Sequence, residues 1–194
     1  MCRDRRGFLI VALLACCTLL PKFALAQFLG FGGKDYKPFK DQGGRFQLEY
    51  PKDWQPTIGA GDVIVTFAQK KGEAALVINR FQLLDDPGQI NDVFGQLEGD
   101  ALKMDQPQAT DVSFKIAGAN GRPVVLVDYS RPGLTGPERG RQYSFPIGQE
   151  VYRLNCTALT GLFAKYEPQF LHIAQSFMVA SGAPPAPAAK PLKK

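Results

Sequence analysis

Residues 27–194 contain one cysteine, Cys156, and one histidine, His172, the side chains best suited to act as nucleophile, general base or metal ligand. Cys156 alternates with Leu154 and Tyr152 on the inward face of a predicted strand, so we expect an inert core thiol. His172 lies on the polar face of the last predicted helix, and we expect it to be solvated. The sequence therefore predicts no catalytic residue, no cofactor site and no metal site, and a protein that is not an enzyme.

Asp85, Asp86 and Asp92 form the one acidic cluster of the sequence, at the entrance to the first predicted helix. Their spacing does not match the calcium-binding loop of an EF-hand. Helix capping and the helix dipole explain aspartates at this position, and a divalent cation is the alternative.

Residues 1–26 have the three parts of a secretory signal peptide: a basic start, an apolar run over 8–20, and the small-residue exit Ala24-Leu25-Ala26. The apolar run has thirteen residues, whereas a membrane-spanning helix needs about 20. The sequence therefore predicts an exported protein, periplasmic or extracellular. An approximate lipobox leaves a lipoprotein anchored at Cys16 as the alternative.

Removal of 26 of the 194 residues leaves 168, which is the size of one domain. The whole chain has a formal net charge of +5, but residues 27–179 carry 16 Lys and Arg against 17 Asp and Glu, a net charge of −1. No basic surface large enough for nucleic acid is expected.

Residues 27–44 are rich in Gly, Lys and aromatic residues without periodicity, and we expect a flexible leader. Phe28 and Phe31 in this leader are candidate residues for docking to a membrane surface or a protein. A flexible spacer is the alternative. The Ala-, Pro- and Lys-rich residues 180–194 are expected to be a disordered tail, which places the domain at 45–179.

Apolar periodicity in the domain predicts strands, a helix, two hairpins and a last helix, in that order. The predicted segments are strands 45–50, 62–69 and 74–83, a helix 89–104, hairpins around 120–121 and 148–149, and a helix 161–177. This order indicates an α+β fold with an antiparallel sheet and helices packed on its faces. In the first strand, Phe46, Leu48 and Tyr50 are expected to point inward and Glu49 outward.

Four local details follow from the same patterns. The first helix is expected to bury the apolar side chains of Ile90, Val93, Phe94, Leu97, Ala101 and Met104. The turn Asn120-Gly121 is expected to pair Ile116 with Val125, Phe114 with Val127, and Val112 with Tyr129. The second hairpin is expected to pair Phe145 with Tyr152 and Tyr143 with Leu154. Pro168 is expected either to kink the last helix or to mark its start.

Arg131, Arg139 and Arg141 lie in or beside a Gly- and Pro-rich segment, 130–140, that is predicted to be a long loop between the hairpins. These arginines are the candidate partner-binding residues of the domain. A solvated loop without a partner is the alternative.

Three segments of the sequence resemble the PsbP family, the extrinsic proteins of the oxygen-evolving photosystem and their exported bacterial relatives. They are Phe46-Gln-Leu-Glu-Tyr-Pro-Lys-Asp-Trp54, Val151-Tyr-Arg-Leu-Asn-Cys-Thr-Ala158 and Phe163-Ala-Lys-Tyr-Glu-Pro-Gln-Phe170. The resemblance implies an α/β/α sandwich around a central antiparallel sheet, and binding or assembly roles without established catalysis. The metal-binding histidines of the plant-type proteins have no counterpart here.

Two functions compete on these grounds. The first is a non-enzymatic exported binding or assembly module that acts on an envelope or membrane-complex protein. The second is a carrier of a small apolar ligand, held between sheet and helix by residues such as Phe67, Phe94 and Phe170. An exported hydrolase is a third and weaker hypothesis, because Cys156 and His172 are not expected to meet.

Overall fold

The computed structural model describes residues 35–84, 86–87, 90–119 and 121–180. In this part of the chain, apolar side chains form the core between two antiparallel sheets and two helices. In chain order the elements are β1 (Tyr36–Lys40), β2 (Phe46–Pro51), β3 (Trp54–Ile58), β4 (Val63–Gln69), β5 (Ala74–Gln82), α1 (Asp92–Asp105), β6 (Thr110–Ala119), β7 (Arg122–Pro132), β8 (Pro137–Ile147), β9 (Glu150–Leu159), a 3₁₀ turn (Thr160–Leu162), α2 (Phe163–Ser176) and β10 (Met178–Val179). The main sheet has the strand order β3-β4-β5-β9-β8-β7-β6, and the small sheet has the order β1-β2-β10.

Helix α2 and strand β2 cover one face of the main sheet. The aromatic stripe of α2, which includes Phe163, Tyr166 and Phe170, is buried there against Leu76 of β5 and Leu154 of β9. Burial of this stripe confirms the predicted helix. The helix runs from Phe163 to Ser176 with Pro168 inside it, so it does not start at the proline.

Helix α1 packs on the opposite face of the sheet, over β6 and β7. Phe94 and Leu102 of α1 form a second core with Val125, Val127 and Tyr129 of β7. The sheet is therefore covered by a helix on each face, which confirms the α+β class.

Both hairpins adopt the predicted register over most of their length. Ile116 pairs with Val125, Phe114 with Val127, Phe145 with Tyr152, and Tyr143 with Leu154. The register of the first hairpin shifts between Thr110 and Ser113, so that Thr110 pairs with Ser130. This bulge interrupts the ladder where Val112 was expected to face Tyr129.

Part of the expected leader is a strand. Residues 36–40 form β1 and pair with β2, from Tyr36 with Pro51 to Lys40 with Gln47. The lysines and the proline of this strand hide its alternation, since only Phe39 packs against the core. The expectation of a flexible segment is therefore wrong for 36–40.

The expected long loop at 130–140 is also mostly strand. β7 continues to Pro132 and β8 begins at Pro137, with Arg131 paired to Glu138 in the ladder. The prolines and glycines of this segment suggested a loop, but the two prolines end the ladder opposite one another.

Candidate functional site

Helix α1 begins at a well-formed cap. The side-chain oxygen of Asn91 accepts a hydrogen bond from the backbone N–H of Phe94 at 3.0 Å, and Asp92 lies in the first turn. The cap supplies a partner for an otherwise unpaired N–H, and the aspartate complements the helix dipole. The start of the helix is thus fixed independently of its packing.

The inner face of α1 carries a buried carboxylate. Glu98 is 2% exposed, and Arg153 of β9 donates to both of its oxygens, from Nε at 2.8 Å and from Nη2 at 2.9 Å. Ser144 Oγ and Gln142 Nε2 of β8 also donate to Glu98, at 2.6 Å and 3.0 Å. A buried bidentate pair with its remaining acceptor capacity filled is strongly held, so this network fixes which face of α1 meets the sheet.

Gly95 lets the same face approach the sheet closely. A β-carbon at this position would lie 2.4 Å from ring atoms of Phe114 on β6. Only glycine fits this contact. The close approach at Gly95 places the face that contains Phe94, Glu98 and Leu102 against the sheet.

The outer face of α1 is apolar as a result. Val93, Leu97 and Met104 are 69%, 59% and 81% exposed, and we call these three residues the outer stripe. At 100° per residue they fall within an arc of about 40°, so they lie along one side of the helix. The prediction that they are buried is wrong. The helical period correctly predicts a helix. Its orientation, however, is set by the close contact at Gly95 and by the Glu98–Arg153 pair.

Acidic side chains flank the outer stripe. Asp92 and Asp100 are exposed beside the stripe, and Lys103 lies 3.8 Å from Asp100. The stripe is therefore an apolar surface with acidic neighbours. Exposed apolar side chains grouped on one side of a helix are typical of an interaction site.

His172 is not simply solvated, contrary to the sequence prediction. Its Nε2 lies 2.8 Å from a carboxylate oxygen of Glu49, whose side chain is 4% exposed, and its ring stacks on Tyr36 of β1 at 3.8 Å between centroids. Glu49 was expected to point outward, but α2 covers that side of β2. The three side chains connect β1, β2 and α2, which is a structural role.

Cys156 is fully buried, as expected, on the face of β9 covered by α2. Burial raises the pKa of the Cys156 thiol, so it stays protonated at neutral pH. A protonated thiol without contact to solvent cannot act as a nucleophile. The structure places His172 elsewhere, with Glu49.

The three candidate arginines lie in strands and differ in their surroundings. Arg131 donates to Glu138 from Nε at 2.9 Å and to Gln106 from Nη1 at 2.9 Å. Arg139 is exposed, with its guanidinium carbon 4.7 Å from the ring centroid of Phe163.

Arg141 is tied most firmly. It donates to Asp128 from Nε at 2.6 Å and also to Glu167. Burial lowers the pKa of Arg141, but the hydrogen bonds to these carboxylates outweigh it and raise the pKa overall. Of the three arginines, Arg139 is the one whose charge has no carboxylate partner among the described residues.

The expected lining of an apolar cavity is not present. Phe67 and Phe170 belong to the core on the α2 side, and Phe94 belongs to the core on the α1 side. The sheet separates these residues, so they cannot line one cavity.

No group of three or more His, Cys, Asp or Glu side chains in the described part of the chain is arranged to hold a metal ion. Asp85 lies outside the described residues, as do the predicted signal peptide, Phe28, Phe31 and residues 181–194 of the predicted tail. Within the described residues, neither helix is long and apolar enough to cross a membrane.

Comparison with known proteins supports the resemblance seen in the sequence. The family model described as PsbP matches residues 34–179, from just before β1 to the end of β10. The chain belongs to the PsbP family. PsbP-like proteins are generally non-catalytic. No curated protein matches the sequence.

Solved structures similar to this PsbP-family chain share its fold. Cyanobacterial PsbP (CyanoP) from Synechocystis sp. PCC 6803 is 14% identical with a TM-score of 0.57, and the match covers 80% of this chain and 99% of that chain. A protein from Bacteroides thetaiotaomicron VPI-5482 is 14% identical with a TM-score of 0.58, over 79% of this chain and 52% of that chain. The Ran-binding protein Mog1p of Saccharomyces cerevisiae is 10% identical with a TM-score of 0.52, over 74% of this chain and 95% of that chain. At these identities the likeness concerns the fold alone.

Sequence reasoning missed the outer stripe, although a signal was present. Gly95 and Gly99 lie four residues apart with Phe94 and Leu102 on the same side of the helix, which is typical of a closely packed face. The apolar residues Val93, Leu97 and Met104 give a stronger helical pattern, which is why the sequence predicts that they are buried.

Proposed function

We propose that this PsbP-family chain is an exported, non-enzymatic binding module that docks a partner protein through the outer stripe of α1. One observation carries the proposal: α1 buries a carboxylate and exposes its apolar strip. A helix oriented only by hydrophobic burial would do the reverse. The exposed strip is then available to a partner.

The energy available from the stripe suits a reversible contact. Fully burying a valine, leucine or methionine side chain contributes roughly 1.5–3 kcal/mol each. Association costs about 4 kcal/mol or more in lost freedom of motion. The three residues therefore give a weak contact alone, and further partner contacts are needed to reach the roughly −8 kcal/mol of a micromolar complex.

The flanking charges define the chemistry of the partner. Asp92 and Asp100 border the stripe, so a partner surface with apolar side chains and basic neighbours fits best. The same acidic border disfavours an anionic membrane surface as the partner of this face. We therefore expect a protein partner with a basic rim.

Export remains part of the proposal. It is supported by the signal-peptide features of residues 1–26, with lipidation at Cys16 as the alternative. Intact mass of the exported protein separates the two, since a chain that starts at Gln27 and a lipidated chain that starts at Cys16 have different masses. A chain that retains residues 1–26 would contradict both.

A double variant tests the docking proposal. Leu97→Glu with Met104→Glu places two charges on the stripe, whereas Leu134→Glu alters a more exposed leucine in the β7–β8 turn. Quantitative co-purification from cross-linked cells of the native host is expected to lose its reproducible envelope partners only in the double variant. Equal recovery of the same partners from all three proteins would overturn the proposal.

The earlier candidates at Arg139, Phe28 and Phe31 stay predictions. Arg139 is exposed, its charge has no carboxylate partner among the described residues, and we expect it to extend a partner surface beside the β7–β8 turn. Arg139→Ala in the same co-purification reports whether this residue takes part, and unchanged recovery would remove it from the interface.

A further inference from the structure

Helix α1 covers only part of the sheet face on which it lies. It packs on β6 and β7, at one end of the main sheet. The same face of β4 and β5 lies further along the sheet, where no described helix packs on it. An open cavity of about 450 Å³ lies there, bounded by residues of these two strands and by Leu102, Asp105 and Gln106 at the carboxyl end of α1.

The uncovered face of β4 and β5 has small, uncharged side chains. Val77 lines the cavity, and the register pairs it with Thr66, so both point to this side of the sheet. Ala75 and Ala68 form the next pair on the same side. We call these four residues the sheet floor. A sheet face that meets only water usually presents polar side chains, whereas this floor leaves room for a second element to lie on the sheet.

The outer stripe of α1 leads into the cavity. Residues four apart on a helix advance by about 40° around it, so they form a continuous row. One such row consists of Val93, Leu97, Ala101 and Asp105. It begins on the outer stripe and ends at Asp105, which lines the cavity, with the half-buried Ala101 between. The outer stripe and the sheet floor therefore border one groove.

The uncovered face is wide enough for one helix. Packed helices lie about 8–10 Å apart, and neighbouring strands lie about 4.8 Å apart. A helix laid beside α1 therefore lies about two strands further along the sheet, over β9 and its neighbour β5. There it contacts the sheet floor below it and the row of α1 beside it.

Acidic side chains flank the groove on both sides. Asp62 and Asp105 are exposed and line the cavity, and no lysine or arginine is among the residues that line it. Asp105 is paired with Arg153 at 3.2 Å, whereas Asp62 has no ion-pair partner among the described residues. Asp92 and Asp100 lie on the far side of the outer stripe. This arrangement complements a helix with one apolar face and basic residues on its flanks.

We propose that the partner inserts one amphipathic helix into this groove. Its apolar side chains pack against the outer stripe and the sheet floor, and its lysines or arginines face Asp62 and the aspartates of α1. The inserted helix completes the layer that α1 begins on this face of the sheet. The inference rests on the proposed function and adds the form in which the partner meets the chain.

Photo-cross-linking of the full chain in the native host tests the proposal. A photoreactive amino acid replaces Ala68 on the sheet floor, Leu97 on the outer stripe, or the exposed Ala164 of α2 as the matched control. Positions 68 and 97 are expected to give adducts with the same protein, and position 164 none with it. The cross-linked peptide, identified by mass spectrometry, is expected to have apolar residues at helical spacing flanked by lysine or arginine.

A charge variant gives a second measurement. Ala68→Arg adds a cation to the sheet floor and repels a basic helix, so the yield of the adduct from position 97 is expected to fall about tenfold. Ala164→Arg is expected to leave this yield unchanged. Both alanines are exposed, and Trp54 fluorescence checks that both variants fold.

The outcomes separate this inference from the proposed function. An adduct from position 97 without one from position 68 would overturn the inference and leave docking through the outer stripe intact. Absence of an adduct from position 97 would contradict the proposed function and the inference with it. A cross-linked peptide without a basic amphipathic segment, or equal yields from both arginine variants, would show that the groove does not select such a helix.

Discussion

Removal of the Glu98 carboxylate should destabilise the whole domain, because four hydrogen bonds converge on it. Arg153 gives two of them, and Gln142 and Ser144 give one each. In Glu98→Ala, Arg153 keeps its ion pair with the half-exposed Asp105 and its contact with the ring of Phe81, but no buried carboxylate. Removal of one partner of a buried ion pair costs about 3–5 kcal/mol, a large part of the 5–15 kcal/mol that stabilises a typical domain.

Urea unfolding measures this loss directly. The chain has a single tryptophan, Trp54, which is 2% exposed and reports unfolding by its fluorescence. Glu98→Ala is expected to lower the free energy of unfolding by about 3–5 kcal/mol and the Tm by about 6–20 °C. Asp100→Ala, on the exposed side of the same helix, is the control and is expected to change it by less than about 0.5 kcal/mol.

A compensating double variant separates the ion pair from simple loss of packing. Glu98→Leu combined with Arg153→Met removes both charges and keeps comparable volume, so most of the lost stability is expected to return. If Glu98→Ala costs less than about 1 kcal/mol, the usual cost of an ordinary hydrogen bond, the carboxylate does not fix the orientation of α1.

Three further predictions concern other parts of the fold. Gly95→Ala is expected to destabilise the domain by about 1–3 kcal/mol, because the added methyl group overlaps with Phe114. At Gly99 the nearest neighbour of an added β-carbon is 3.9 Å away, so Gly99→Ala is expected to stabilise the domain. Equal effects of the two variants in urea unfolding would contradict the close contact at Gly95. The pKa of the Cys156 thiol is raised in the folded state, so the folded thiol stays protonated while the unfolded thiol ionises above about pH 8.5. Stability is therefore expected to fall as the pH rises above about 8.5, and to fall less in Cys156→Ala. A similar pH slope in both proteins would refute burial of the thiol. Tyr36→Ala removes the ring that stacks on the histidine of α2 and is expected to speed hydrogen exchange in β1 alone; unchanged exchange would show that the stack does not hold the strand.

The hairpins were predictable from sequence because their information is local. A two-residue turn fixes the register, and strict alternation then places Phe145 opposite Tyr152 without further assumptions. The aromatic stripe of α2 was predictable for a similar reason, since Phe163 and Phe170 lie on one side of one helix.

The orientation of α1 was not predictable in this way. Glu98 is buried because an arginine 55 residues later in the chain pairs with it, and a periodicity in one helix cannot report such a partner. Strand β1 and the Glu49–His172 contact were missed for the same reason, since they depend on pairing between distant segments.

The edge strands were the elements hardest to predict from the sequence. β3 has four exposed residues out of five and contains Pro56, and it lies at the edge of the main sheet, where a proline is tolerated. Little alternation remains in such a strand. Its existence is determined by the ladder with β4 rather than by its own pattern.

Photo-cross-linking in the native host tests the docking surface most directly. A photoreactive amino acid is placed at Leu97 on the outer stripe, and at Leu134 in the β7–β8 turn as the exposed control. Docking through α1 predicts a reproducible adduct with one envelope protein from position 97 and none with that protein from position 134. No adduct from position 97, or the same adducts from both positions, would contradict the assignment of the outer stripe as the binding surface.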